Sequence, residues 1–209
     1  MRTPLSEKAV RGLRLGEIVY LTGDVITGRD SMHFRAADYV GVQNSLQNAI
    51  AAGDEERLRM MESARSRAVI PEHITNSVLY HCGPIMVYTG KEWKAVAAGP
   101  TTSARMNSLE PGMIRTFGIR AVIGKGGMSK EVGQAMRDTG CVYLAAVGGT
   151  AVSLAGSIVE VYGAEWSDLG MAEAMWRFRT ERMGPLIVAM DSEGNSLYED
   201  VASKIVRDS

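Results

Sequence analysis

A chain of 209 residues, 45% apolar and 22% charged, can bury a sizeable core and has the composition of a globular protein. Its 23 Lys and Arg nearly balance its 24 Asp and Glu, leaving a formal net charge of −1 and no bulk electrostatic case for nucleic acid or an anionic membrane surface. The start, MRTPLSEKAVRGLRLGE, lacks the apolar core of a signal peptide and no apolar run approaches the ~20 residues of a membrane span, so a cytoplasmic location is expected.

In chain order, residues 16–27 (GEIVYLTGDVIT) are rich in β-branched side chains and broken by Gly23-Asp24, which reads as one bent strand or two short ones. From about Asp38 to Ala68 the pattern turns helical. Leu46, Ile50, Leu58, Met61 and Ala64 recur at helical spacing, interrupted at Ala51, Ala52 and Gly53, so one helix or two fit. Glu55 and Arg59 are an i,i+4 pair on its wet face. Residues 77–88 read as strand, turn at Gly83-Pro84, strand, and Trp93–Ala98 as another short strand. A helix over 103–118 leads into a strand Arg120–Gly124. A helix Ser129–Asp138, with Ser129 as N-cap, precedes the apolar strand Val142–Val147 and a helix Thr150–Ile158. A strand Leu186–Asp191, a Glu193-Gly194-Asn195 turn and a short helix ending near Val206 close the chain. Alternating strand and helix in the second half predict an α/β fold with a mostly parallel sheet, and the first half adds a β-rich lobe.

Cys82 and Cys141 each lie in an apolar run and read as buried thiols. Two cysteines cannot complete a four-thiolate cluster or a structural zinc site.

Three loops concentrate polar chemistry, each following a predicted strand, where open α/β sheets bind ligands. The first, Thr27–His33, carries Arg29 and Asp30, a candidate ion pair, and His33, one turn on if a helix starts there. His73 and His81 show no ligand pairing with His33, so no metal site is expected. The second, Gly99–Met106, sets Thr101, Thr102 and Ser103 at a predicted helix N-terminus, an anion-binding arrangement, with Arg105 able to grip a carboxylate. The third, Ile123–Met128, holds Lys125 between glycines without the spacing of a Walker loop. Two arginines, one lysine and several hydroxyls suit a small dianion, a dicarboxylate or a phosphate ester, and name no reaction.

The strings TGRDSMH, GPTTSARM and IGKGGM, in this order, followed by EWSDLGMAEAMWRFRTERMGPLIVAMDSEGNSL, resemble the C-terminal domain of class I fumarases and the β subunits of two-subunit fumarases and L-tartrate dehydratases. The resemblance runs from about Gly16 to Leu197. The stretch from about 38 to 70 departs from it and reads as a helical insertion within a single domain spanning 1–209. The resemblance implies a swivelling β/β/α domain that closes over a partner, the α subunit, whose three cysteines hold a 4Fe-4S cluster, with none bound by this chain. It implies that Arg29, Arg105 and Lys125, with Thr102, bind a small dicarboxylate. Thr101 would act as the base, and His33 and Asp30 would support the pocket. The implied activity is reversible hydration of fumarate to L-malate, with dehydration of L-tartrate to oxaloacetate as the alternative, in a heterotetramer containing a homodimer of this chain. A non-catalytic small-anion binding module is the reading from a different class.

Overall fold

The computed structural model describes residues 1–67 and 70–204, with the side chains of 63–67 excepted. Five strands form a closed ring: β1 (Ile18–Thr27), β2 (Val78–Tyr80), β5 (Ala121–Gly124), β6 (Val142–Ala146) and the sixteen-residue β8 (Met175–Met190). β1, β2, β5 and β6 run parallel, with Leu79 opposite Ile26 and Val122, and Ile123 opposite Leu144. β8 then pairs antiparallel with both β6 and β1, which closes the ring, and β7 (Ile158–Glu165) adds antiparallel to β8 outside it. β3 (Ile85–Tyr88) and β4 (Trp93–Ala97) make a separate hairpin.

Side-chain alternation along these strands creates two large cores, and Trp176 and Phe178 of β8 join Met86 and Ala174 in a smaller third cluster. Val19, Leu21, Val25, Val78, Tyr80, Ala121, Ile123, Val142, Leu144, Leu186 and Val188 form one buried cluster that fills the ring. The alternate residues, Ile26, Leu79, Val122, Tyr143 and Ala189, face outward into a second cluster. Helices cover that outer face. α2 (Asp30–Ala52) brings Met32, Ala36 and Val40 at a spacing of four; α4 (Glu110–Phe117) brings Met113, Ile114 and Phe117; α5 (Lys130–Thr139) brings Val132, Ala135 and Met136. Each fully buried aliphatic side chain here contributes ~1.5–3 kcal/mol. Short helices α1 (Glu7–Arg11) and α6 (Ala151–Ala155) add Val10 and Leu154 to the inner core. α3 (Glu55–Arg67) follows α2 after Gly53, and α7 (Leu197–Lys204) follows β8.

The α/β reading holds, but the sheet is mixed rather than mostly parallel. The strand–helix alternation stops at α6, after which β7 and β8 pair antiparallel. The helical stretch expected from 38 begins at Asp30, and its division in two near Gly53 is observed. The helix expected over 103–118 divides into a 3-10 turn, Ser103–Met106, and α4. The helix expected over 150–158 ends at Ala155, and the strand expected over 186–191 is only the end of β8. The Glu55–Arg59 pair forms at 4.0 Å on an exposed face, where it adds little. The expected end of the last helix near Val206 lies outside the described residues. Among those described, no helix is long and apolar enough to cross a membrane.

Candidate active site

The first and third loops leave the parallel strands β1 and β5 on the same side, and the second, which follows β4, docks back between them at the end of β2. The Gly28 amide donates to the Tyr80 carbonyl, the Thr101 amide to that of His81 (2.7 Å), and the His81 amide to that of Ile123. Thr101 and Ser103 then clasp Lys125: the Lys125 amide donates to Thr101, and the Ser103 amide donates to Lys125. Thr102 and Lys125 form a parallel bridge. The 3-10 turn that follows carries Arg105, whose Nη2 donates to Asp30 Oδ2 at 2.7 Å and to Thr101 Oγ1 at 3.3 Å.

The Arg29–Asp30 ion pair expected from their adjacency does not form. Asp30 turns to Arg105, and Arg29 lies 3.5 Å from Glu173. Glu173, 142 positions beyond Ser31, also accepts from the Ser31 amide at 2.8 Å, capping the first turn of α2. Nothing in the local sequence marks Glu173 for this role. Gly83 gives Arg29 its path, since a Cβ there would sit 2.6 Å from Arg29 Cδ. Arg29 Nε is buried and makes no hydrogen bond among the described residues.

Below the loops lies a fully buried polar chain. His33, in the first turn of α2, places Nδ1 2.7 Å from the Arg29 carbonyl and Nε2 2.9 Å from Glu110 Oε2. His81 places Nε2 3.2 Å from the same oxygen and Nδ1 2.9 Å from Ser103 Oγ, which also accepts from the Tyr143 hydroxyl at 3.0 Å. His33 and His81, which looked unrelated in sequence, therefore share one carboxylate. Nothing local marks Glu110, which falls in the middle of the helix expected over 103–118 and opens α4 in the structure. Burial alone would raise the Glu110 carboxyl, but the two imidazoles pull it down to about 2. Burial opposes charge on His33, yet the Glu110 contact raises its pKa overall, whereas burial prevails at His81 and lowers it.

The face thus presents Arg29, Arg105 and exposed Lys125 against Asp30 and Glu173, with the Thr101 hydroxyl under a guanidinium. Thr102 is exposed beside them but caps its turn without a side-chain hydrogen bond. The residues expected to bind and react are gathered on one open face; His33 lies beneath it. A cavity of about 640 Å³ lies elsewhere, at the start of β2, lined by Asp24, His73, Ser77, Arg177 and Arg179 among others. It contains none of the three loops' residues, so convergence of chemistry rather than cavity size locates the candidate site.

Residues 47–201 match the family model described as Fumarase C-terminus. The chain is 42% identical over 202 residues to "Putative L(+)-tartrate dehydratase subunit beta" of Methanocaldococcus jannaschii, covering 96% of this chain and 91% of that protein. It is 35% identical to "Putative fumarate hydratase class I" of Geobacillus stearothermophilus, covering 96% of this chain and 34% of that longer protein. It is 32% identical to "L(+)-tartrate dehydratase subunit beta" of Escherichia coli K12, covering 96% of this chain and 86% of that one. With the three loops gathered on one face and the match running through most of its length, the chain belongs to the Fumarase C-terminus family.

Proposed function

We propose that this chain is the β subunit of a two-subunit hydro-lyase and supplies the carboxylate-binding half of an active site for a four-carbon dicarboxylate. The observation that carries the reading is the Arg105 guanidinium bonded to Thr101 Oγ1 at 3.3 Å on a face that also bears Arg29 and Lys125. Three cations carried by adjoining loops suit two carboxylate groups. A hydroxyl is a poor base unless its anionic form is stabilised, and a guanidinium donating to Oγ1 does that. Thr101 then takes the proton from the carbon beside one carboxylate while Arg29, Arg105, Lys125 and Thr102 hold the substrate. His33 and Asp30 support the pocket from below and from the side.

The chain's own thiols do not suit an iron–sulfur cluster. Cys82 and Cys141 lie in separate cores, and burial pushes the Cys82 thiol up to about 12 and the Cys141 thiol well above its ordinary value, against thiolate ligation. A 4Fe-4S cluster therefore belongs, in this reading, to the α subunit, where it supplies Lewis-acid chemistry at the leaving hydroxyl. The open character of the site fits one half of a shared pocket. We further read the chain as a single swivelling domain that closes on that partner, with residues 38–70 as a helical insertion, and as a homodimer within a cytoplasmic heterotetramer.

Fumarate hydration to L-malate is the first substrate reading. L-tartrate is the second, favoured by the 42% and 32% identical relatives, both named tartrate dehydratase subunits. Anaerobic co-expression with the α subunit, followed by fumarate hydration and L-tartrate dehydration assays, tests both. Activity only in the oxygen-protected complex is expected, and the faster substrate names the enzyme. A complex inert on both diacids would leave the small-anion binding module.

A further inference from the structure

The protons of the buried chain beneath the loops can be placed by counting. An ionised Glu110 only accepts, so His81 Nε2 must carry a proton, and because burial keeps that imidazole neutral its Nδ1 is bare and accepts from the Ser103 hydroxyl. His33 Nδ1 faces a backbone carbonyl, which only accepts, and its Nε2 faces that same Glu110 oxygen. An ionised Glu110 thus leaves His33 with both protons and His81 with one. The groups facing this pair from surrounding elements are Arg29 and Asp30 at the start of α2, Cys141 before β6 and Tyr143 within it. Burial raises the Cys141 thiol and the Tyr143 phenol, keeping both neutral, so the buried charges are those of His33 and Glu110.

One end of this chain holds the carbonyl of Arg29 and the other holds Ser103, between Thr101 and Arg105. We propose that His33, Glu110 and His81 are positioning residues: a buried imidazolium–carboxylate–imidazole chain that locks the Arg29 loop to the Thr101–Arg105 loop and so sets the separation of the guanidiniums that grip a dicarboxylate. The kinetic part of this proposal rests on the hydro-lyase reading; the structural part does not. The two Nε2 atoms and the Glu110 oxygen lie within 4.8 Å of one another, a spacing a divalent ion could also use. Both Nε2 atoms already meet the carboxylate at hydrogen-bond distance and both Nδ1 atoms have partners, which favours protons over a metal.

Three measurements test it. In ¹⁵N imidazole spectra of the folded chain at neutral pH, His33 should carry protons on both nitrogens and His81 on Nε2 alone. A neutral His33, or a stoichiometric divalent ion on the Nε2 atoms, overturns the proposal. In Glu110→Gln, hydrogen-exchange protection of segments 29–33 and 101–105 should fall together, by about tenfold, the effect of losing one charge-assisted contact. Unchanged protection of both loops overturns it, and Ser103→Ala gives the same readout if the Gln variant does not fold. In the two-subunit complex, Glu110→Gln should raise KM for the dicarboxylate about tenfold while kcat stays within about threefold. A fall in kcat at constant KM overturns the positioning role. If the wild-type complex acts on neither diacid, the hydro-lyase reading fails, and the spectra and exchange data still decide the link between the loops.

Discussion

Arg105 reaches across 75 positions of sequence to Asp30, with Nη2 2.7 Å from Oδ2, and the same nitrogen lies 3.3 Å from Thr101 Oγ1. One guanidinium thus joins the first residue of α2 to the hydroxyl-rich loop. Its partner there is a carboxylate, the group that the proposed substrate would present. Because the pair is 45% and 35% exposed, it organises the face more than it stabilises the fold.

Arg105→Ala should therefore leave the thermal midpoint of the chain nearly unchanged and lower kcat/KM of the assembled complex by about 100-fold or more, the loss expected for a charge-assisted carboxylate contact. Steady-state kinetics beside a melting curve check this. Near-normal turnover would remove Arg105 from the site.

Thr101→Val keeps the shape of the side chain and removes its oxygen. If the hydroxyl is the base, kcat should fall by about 10² or more with little change in KM. A rise in KM alone would assign Thr101 to binding.

The His33–Glu110–His81 chain makes stability depend on pH in opposite senses. Glu110 is held near 2, below its ordinary value, so its contribution is present above the unfolded pKa and is lost as pH falls from about 4.5 toward 2. His81 is lowered, so its contribution also fades as pH falls below its ordinary value of 6.5. His33 is raised, so its contribution is present below 6.5 and is lost as pH rises through its folded pKa. Melting curves between pH 3 and 8 should show acid destabilisation that is smaller in Glu110→Gln. Glu110→Ala, which strands a buried imidazolium, should cost ~3–5 kcal/mol by urea denaturation.

Neither thiol should react in the folded chain. Cys82 and Cys141 are both fully buried, and burial disfavours their thiolates. A chromogenic disulfide reagent at pH 8 should detect no thiol until denaturant is added, and two thereafter.

Gly83→Ala should act on the site without touching a functional side chain. The added Cβ would lie 2.6 Å from Arg29 Cδ and 2.8 Å from the Ala172 carbonyl, so Arg29 must leave its place against Glu173. KM for the dicarboxylate should rise several-fold, at a cost of about 1–3 kcal/mol in stability for overpacking.

The short apolar runs at Val78–Tyr80, Ala121–Gly124 and Val142–Ala146 were legible as strands because ring-filling and helix-facing positions are both apolar. β7 and most of β8 were not. In β8, Trp176, Phe178 and Thr180 are buried between Arg177, Arg179 and Glu181, an alternation masked by its charges. The start of α2 was missed because Asp30, Ser31 and His33 read as loop chemistry, and the acidic cap that supports it, Glu173, comes from the far end of the chain. Arg29, Thr101, Arg105 and Lys125 were legible from polar side chains beside glycines and prolines after strands. Their partners Glu110 and Glu173 were not, since pairing across tens of residues leaves no local trace.

The closed ring also bears on how such a subunit persists before it meets another chain. Ring closure leaves little unpaired margin on which a second copy could template: β8 pairs with β1 along most of its length, β2 takes Ile26 and Thr27, and Met1 and Thr3 bond Thr22 on the same strand. β7 and the β3–β4 hairpin also carry open margins, and there exposed Glu160, Glu165 and Lys94 stand in the way of edge-to-edge growth. A chain built in this way can wait, folded and unaggregated, with its charged face uncovered.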